Sequence, residues 1–248
     1  MTETFTDWLR QRSEPDWTGV IEHPFTQALF TGQVPADAMR SYLVQDFQFV
    51  DDFLALLGSG IAKADRYSSR LAIAGSVGVV TSEENTYFRR AFDALDVGES
   101  DRVRPELDEA TVAFRELMQD ANERGSYAEV LTVLTVAEWS YLEWAVRAPD
   151  ALPDDFVHAE WITLHNNPDF QAWVRWLRGE LDRVGAELDE RERARCLRLF
   201  QQATRCELDF FNAHWSWGGG GGAPPPPPPA RRRWWGEDPA GQPATAQG

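Results

Sequence analysis

Helical periodicity runs almost unbroken from residue 4 to residue 216, and no segment shows sustained period-two alternation of β-branched residues. A chain patterned this way buries its apolar faces helix against helix, so the expected fold class is all-α. Breaks at Thr31-Gly32, Ala64-Asp65, Val97-Gly98, Arg124-Gly125, Pro149 to Pro153, Asn166 to Pro168 and Gly185 delimit about eight helices. They run over roughly 4–30 (interrupted near Pro15 and Pro24), 36–63, 67–96, 105–123, 127–147, 154–164, 169–184 and 189–216. Ser126 is placed to cap the helix that begins at Tyr127, and Pro168-Asp169 opens the next but one. Short connections between long helices predict antiparallel neighbours and an up-and-down bundle.

The pattern stops after Trp217. Five glycines (218–222), six prolines (224–229), then Arg231-Arg232-Arg233-Trp234-Trp235 and a polar end cannot build a core. The expected organisation is therefore a helical domain over 1–217 and a disordered Gly/Pro-rich tail over 218–248. The proline run also reads as a ligand for an aromatic groove, but a tolerated extension is the better reading.

Charge removes several classes of partner. Asp and Glu number 40 against 24 basic residues, of which Lys63 is the single lysine, for a net charge of −16. Nucleic acid needs clustered cations on the protein, and an anionic membrane surface is disfavoured for the same reason. Acidic excess with almost no lysine fits a halophile-like protein whose self-repulsion is screened by salt, although a GC-rich codon bias also replaces Lys by Arg. No run of 18 uncharged apolar residues predicts a membrane span, and the polar, amphipathic start is not expected to act as a secretory signal. Cys196 and Cys206 lie ten residues apart in one predicted helix, where about 15 Å of rise keeps them from bridging each other. Free thiols and a cytoplasmic location are the expectation.

Four carboxylates fall on apolar helix faces. Asp46 aligns with Leu43, Val50, Phe53 and Leu57; Glu84 lies in the stripe Ile73, Val77, Val80, Tyr87/Phe88, Ala91. Glu138 follows Leu131 and Leu134 and precedes Tyr141 and Leu142, and Glu207 sits between Phe200/Ala203 and Phe210/Phe211. A buried carboxylate is costly unless it is hydrogen-bonded or neutralised. Each alone is better read as satisfied by a nearby Tyr, Trp or Arg; four together favour a polar pocket inside the bundle. A di-metal carboxylate site requires Glu-x-x-His pairs, and here Tyr87, Tyr141 and Phe210 stand three residues after the glutamates. The remaining chemistry is metal-free acid–base hydrolysis of a polar heterocycle, walled by Phe47, Phe49, Tyr87, Phe114, Trp139, Tyr141 and Phe211.

His23-Pro24-Phe25, Tyr42-Leu43-Val44-Gln45-Asp46, Glu138-Trp139-Ser140-Tyr141, Trp161-Ile162 with Asp169-Phe170, and Glu207-Leu208-Asp209-Phe210-Phe211 stand in the order and spacing of the TenA (thiaminase II-like) family. The resemblance covers roughly residues 5 to 216. It implies a heme-oxygenase-like helical bundle, usually a homo-oligomer (dimer or tetramer), that hydrolyses thiamin or its aminopyrimidine breakdown products in thiamin salvage without metal or cofactor. Carried over position by position, Asp46 matches the aspartate that holds the aminopyrimidine, Glu207 the general acid/base and Tyr141 a pocket tyrosine. The best-known branch has a nucleophilic cysteine where this chain has Ala137, and Phe49, Phe114 and His165 stand at pocket tyrosine positions. The chain therefore resembles the cysteine-lacking branch, which implies hydrolysis of aminopyrimidine or formylaminopyrimidine by carboxylate-activated water, with Glu138 and Glu84 as added catalytic candidates. Two other readings stand beside it: a pyrimidine- or thiamin-binding protein without turnover, and a metal-dependent heme-oxygenase-like oxidase.

Overall fold

A computed structural model describes residues 3–81 and 85–215. Among these residues there are thirteen helices and no strand. They are α1 Phe5–Gln11, α2 Asp16–Ile21, α3 Pro24–Phe30, α4 Ala36–Asp46, α5 Phe49–Lys63, α6 Tyr67–Val79, α7 Asn85–Ala94, α8 Glu99–Val103, α9 Glu109–Arg124, α10 Tyr127–Ala145, α11 Phe156–Leu164, α12 Pro168–Gly185 and α13 Glu190–His214. The all-α bundle is as expected; the count of about eight is not. Segment 4–30 forms three helices, divided near Pro15 and at Pro24. Segment 36–63 breaks at Phe47-Gln48, segment 67–96 is described as α6 and α7 with residues 82–84 outside the described residues, and α8 forms where a loop was expected. Phe47-Gln48 carries no Gly or Pro. The backbone stays helical there but tightens, with Gln48 N–H bonding Gln45 O and Val50 N–H bonding Phe47 O three residues back.

Capping side chains set the long helices. Ser126 and Glu129 form a reciprocal capping box on α10, and Asp189 and Glu192 form another on α13. Asn167 caps α12 ahead of Pro168, and Asp108 accepts from Thr111 N–H to open α9. Each such cap contributes about 1 kcal/mol. The turn after α3 places Gly32 at φ 66°, the left-handed region where glycine carries no Cβ penalty.

Core packing centres on α10, which is buried on nearly every side from Val130 to Val136. It packs chiefly against α12 and α13, and also touches α5, α2 and α9. α5 packs on α6 and α9, and α13 on α9 and α2. Neighbours along the chain do pack, as α5 and α6 show, but the closest partners of α10 lie beyond its next helix. α11 bridges α3 and α7. The helices belong to one unit, Met1–Ser216, and the tail proposed for 218–248 lies outside the described residues. No described helix is long and apolar enough to cross a membrane.

Candidate active site

A cavity of about 1120 Å³ opens beside α10, with α5, α6, α7, α11, α12 and α13 contributing to its wall. The tightened turn that ends α4 delivers Asp46 to it, and the next turn of chain adds Phe49 and Val50. α10 contributes Ala137, Glu138 and Tyr141; α13 contributes Glu207; α9 contributes Phe114 and Met118. The structure thus brings Asp46, Glu138, Glu207, Tyr141, Phe49, Phe114, His165 and Tyr87 to one cavity.

Hydrogen bonds divide its polar groups. Tyr141 Oη donates to Asp46 Oδ1 at 3.2 Å, and Tyr42 and Tyr141 hydroxyls lie 2.8 Å apart. Because Tyr141 gives its one proton to Asp46, Tyr42 is the donor of the second bond. A relay from Tyr42 through Tyr141 therefore ends on the Asp46 carboxylate. Burial pushes the pKa of both phenols well above the ordinary value, with the Asp46 charge adding to the effect, so both stay protonated donors.

Glu207 is 2% exposed, and no hydrogen bond from a described residue reaches its carboxyl. Burial, then the charges of Asp46 and Glu138, hold its pKa well above the usual carboxylate range. Its acid form is favoured, as a proton donor requires. Glu138 accepts Trp173 Nε1–H at 3.0 Å. His165 lies among Trp161 (ring centroids 4.5 Å), Tyr141 (4.8 Å) and Phe170 (5.3 Å). Its Nδ1–H donates to the Trp161 carbonyl at 2.8 Å, and burial lowers its pKa to about 4. The ring is neutral, with Nε2 as the lone-pair nitrogen. At the rim Arg90 grips Glu160 through two bonds of 2.8 and 2.9 Å.

Three expected wall residues, Phe47, Trp139 and Phe211, lie elsewhere, and Phe211 stacks on Tyr42 at 5.9 Å. Phe47 packs on Phe88 (5.1 Å) and Phe92 (5.5 Å), away from the cavity, because successive helical residues point about 100° apart and Asp46 takes the inward direction. Trp139 turns from Glu138 in the same way. It packs against Trp17 at 4.8 Å, with the Arg178 guanidinium 3.8 Å from its ring centroid. Tyr87 does line the cavity, but as wall: its hydroxyl donates to the Val157 carbonyl at 2.6 Å and its ring stacks on Trp161. Glu84 lies outside the described residues.

Sequence reasoning missed Trp173, and gave Phe170 and Tyr42, though both stand in the motifs, no place in the site. Phe170 and Trp173 are spaced i,i+3 on α12, a helix-face signal that was legible. The Tyr42 relay was not, since it depends on the crossing of α4 and α10. Among the described residues, no three His, Cys, Asp or Glu side chains gather closely enough to hold a metal ion.

Comparison with known proteins agrees with this architecture. Residues 10–216 match the model of the TENA/THI-4/PQQC family. An aminopyrimidine aminohydrolase of Halalkalibacterium halodurans is 23% identical over 212 residues, covering 84% of this chain and 94% of that protein. An aminopyrimidine aminohydrolase of Helicobacter pylori is also 23% identical, over 84% of this chain and 96% of the relative. Among solved structures, a TenA homologue from Pyrococcus furiosus superposes with a TM-score of 0.77 at 20% identity, over 85% of this chain and all of that one. The family model spans the helices that build the cavity and the positions of Asp46, Tyr141 and Glu207, and on that match the chain belongs to the TENA/THI-4/PQQC family.

Proposed function

We propose that the chain is a thiamin-salvage hydrolase that cleaves a C–N bond of an aminopyrimidine or formylaminopyrimidine with water. One observation carries the reading: a buried carboxyl, Glu207, whose pKa is raised by that burial, lines an aromatic-walled cavity with two other carboxyls, Asp46 and Glu138. The curated relatives named aminopyrimidine aminohydrolase support the same class. Asp46, whose Oδ1 accepts the Tyr141 hydroxyl, is an acceptor of the kind that takes the N–H groups of an aminopyrimidine. Phe49 and Phe114, whose rings meet edge to face at 5.3 Å, give the heterocycle an apolar wall.

The hydrolytic step divides between two glutamates. Glu138 takes a proton from water as the oxygen attacks the carbon of the scissile C–N bond. Glu207 gives its proton to the departing nitrogen, which leaves as ammonia or an amine. Proton return from Glu138 to Glu207, directly or through water, resets the pair. For the formylated substrate the attacked carbon is the formyl carbon, and formate is released with the amine. Ala137 places a methyl group in the cavity where the resembled branch carries a thiol, and a methyl group cannot attack the substrate to form a covalent intermediate.

Glu207→Gln removes the transferable proton and keeps the shape. Turnover, followed as ammonia or formate, is expected to fall at least about 10³-fold while aminopyrimidine binding by calorimetry persists. Unchanged turnover in this variant overturns the reading. The methyl group of Ala137 also favours a second reading, a binder without turnover; tight binding with no product from the native chain selects it.

A further inference from the structure

Three carboxyls line one cavity, Asp46 and Glu207 buried and Glu138 half-buried, and each negative charge disfavours the next. Which one keeps a proton is decided by the donors around them. Asp46 has the Tyr141 hydroxyl, Glu138 has the Trp173 indole, and Glu207 has no hydrogen-bond donor among the described residues. Trp173 reaches Glu138 from a different helix, α12, and is itself held by Trp176, whose ring stacks on it at 5.2 Å with 9° between the planes. A stacked indole has little freedom to swing away, so its N–H is a fixed donor aimed at Oε1.

We infer that Trp173 is a positioning residue: its N–H holds Glu138 in place as the ionised base and thereby leaves Glu207 as the acid. The inference rests on the hydrolase reading above. The charged groups that line the cavity among the described residues are nearly all acidic. From α4 comes Asp46, from α11 Glu160, from α12 Asp169 and from α13 Glu207, all acidic. Tyr141 is an uncharged phenol and His165 a neutral ring. The one cation lining the cavity among the described residues, Arg90, is engaged by Glu160. Neutral donors thus reach two of the three carboxyls, and Trp173 is the one contributed by α12.

Trp173→Phe tests this, because it keeps an aromatic ring against Trp176 and deletes only the N–H. The expected result is a kcat lower by about tenfold, the scale of one hydrogen bond to a charged group, with KM little changed. The acid limb of the kcat/KM profile moves to higher pH, since Glu138 loses the bond that favours its charged form. A carboxyl-carbon NMR titration of Glu138 moves the same way, and this readout stands whether or not the chain turns over any pyrimidine. Should the native chain release neither ammonia nor formate, the hydrolase reading fails while the NMR titration still judges Trp173. In a Glu138→Gln background, Trp173→Phe adds no further loss of kcat. Glu138→Gln alone retains the indole packing and lowers kcat further than Trp173→Phe does, which guards against a variant that merely folds badly. An unmoved Glu138 titration, or a Trp173→Phe loss that is additive with Glu138→Gln, overturns the inference.

Discussion

Glu207 is stabilised in its acid form by the fold, and that has a cost away from acid pH. Its pKa is raised from 4.5 by burial first and then by Asp46 and Glu138. A raised folded-state pKa contributes stability that is fully present below the unfolded value and is lost as pH rises through the folded one. Glu207→Gln, neutral at every pH, is spared that loss. Its melting temperature is expected to exceed that of the native chain, by a margin that widens from about pH 5 to about pH 8. A margin that is flat or narrows over that span contradicts the assignment. At this scale Asp46 and Glu207 were legible because each interrupts an otherwise apolar stripe on an amphipathic helix. Glu138 and Trp139 could not be separated in the same way. α10 is apolar on every side, so periodicity gives no single inward direction, and the choice between neighbouring residues falls to the helices around it.

Between helices, close approach and polar ties set the geometry. Gly185 ends α12 against Phe5 of α1, and a Cβ built there comes within 2.1 Å of the Phe5 ring. Phe5 is buried and covered by the Arg193 guanidinium at 4.5 Å, so the ring has nowhere to retreat. Gly185→Ala is expected to displace α1 and destabilise the fold by about 1–3 kcal/mol in denaturant titrations, with little effect on ligand affinity. A neutral outcome means that α1 is loosely held. Farther up α12, Glu180 gathers Ser69, Tyr127 and Arg183, joining α6, α10 and α12, and these partners, Arg183 first, lower its pKa to about 2. Helix positions were largely legible from caps and breaks, as Ser126 and Pro168 show. The break after Asp46 was not, because neither residue 47 nor residue 48 is a helix breaker. The anchoring of Phe47 between Phe88 and Phe92 accompanies that turn, and its partners lie more than forty residues away in sequence.

Across the whole molecule the net charge of −16 repels itself, and this repulsion is distinct from any local contact. Raising salt from about 0.1 M to about 1 M shortens the Debye length from about 10 Å to about 3 Å. The melting temperature is expected to rise across that range, and a flat or falling curve would sink the halophile-like reading. The tyrosines offer a second global probe. Tyr42, Tyr87 and Tyr141 are enclosed in the core, and Tyr127 donates to Glu180; all four pKa values are raised, by burial first. The fifth, Tyr67, is 73% exposed. Tyrosinate absorbance followed into alkali is therefore expected to appear in two stages, with four of the five phenols withheld until the bundle opens. The hydroxyl relay that orients Asp46 thus doubles as an intrinsic optical alarm: the chain signals its own alkaline collapse without any added label.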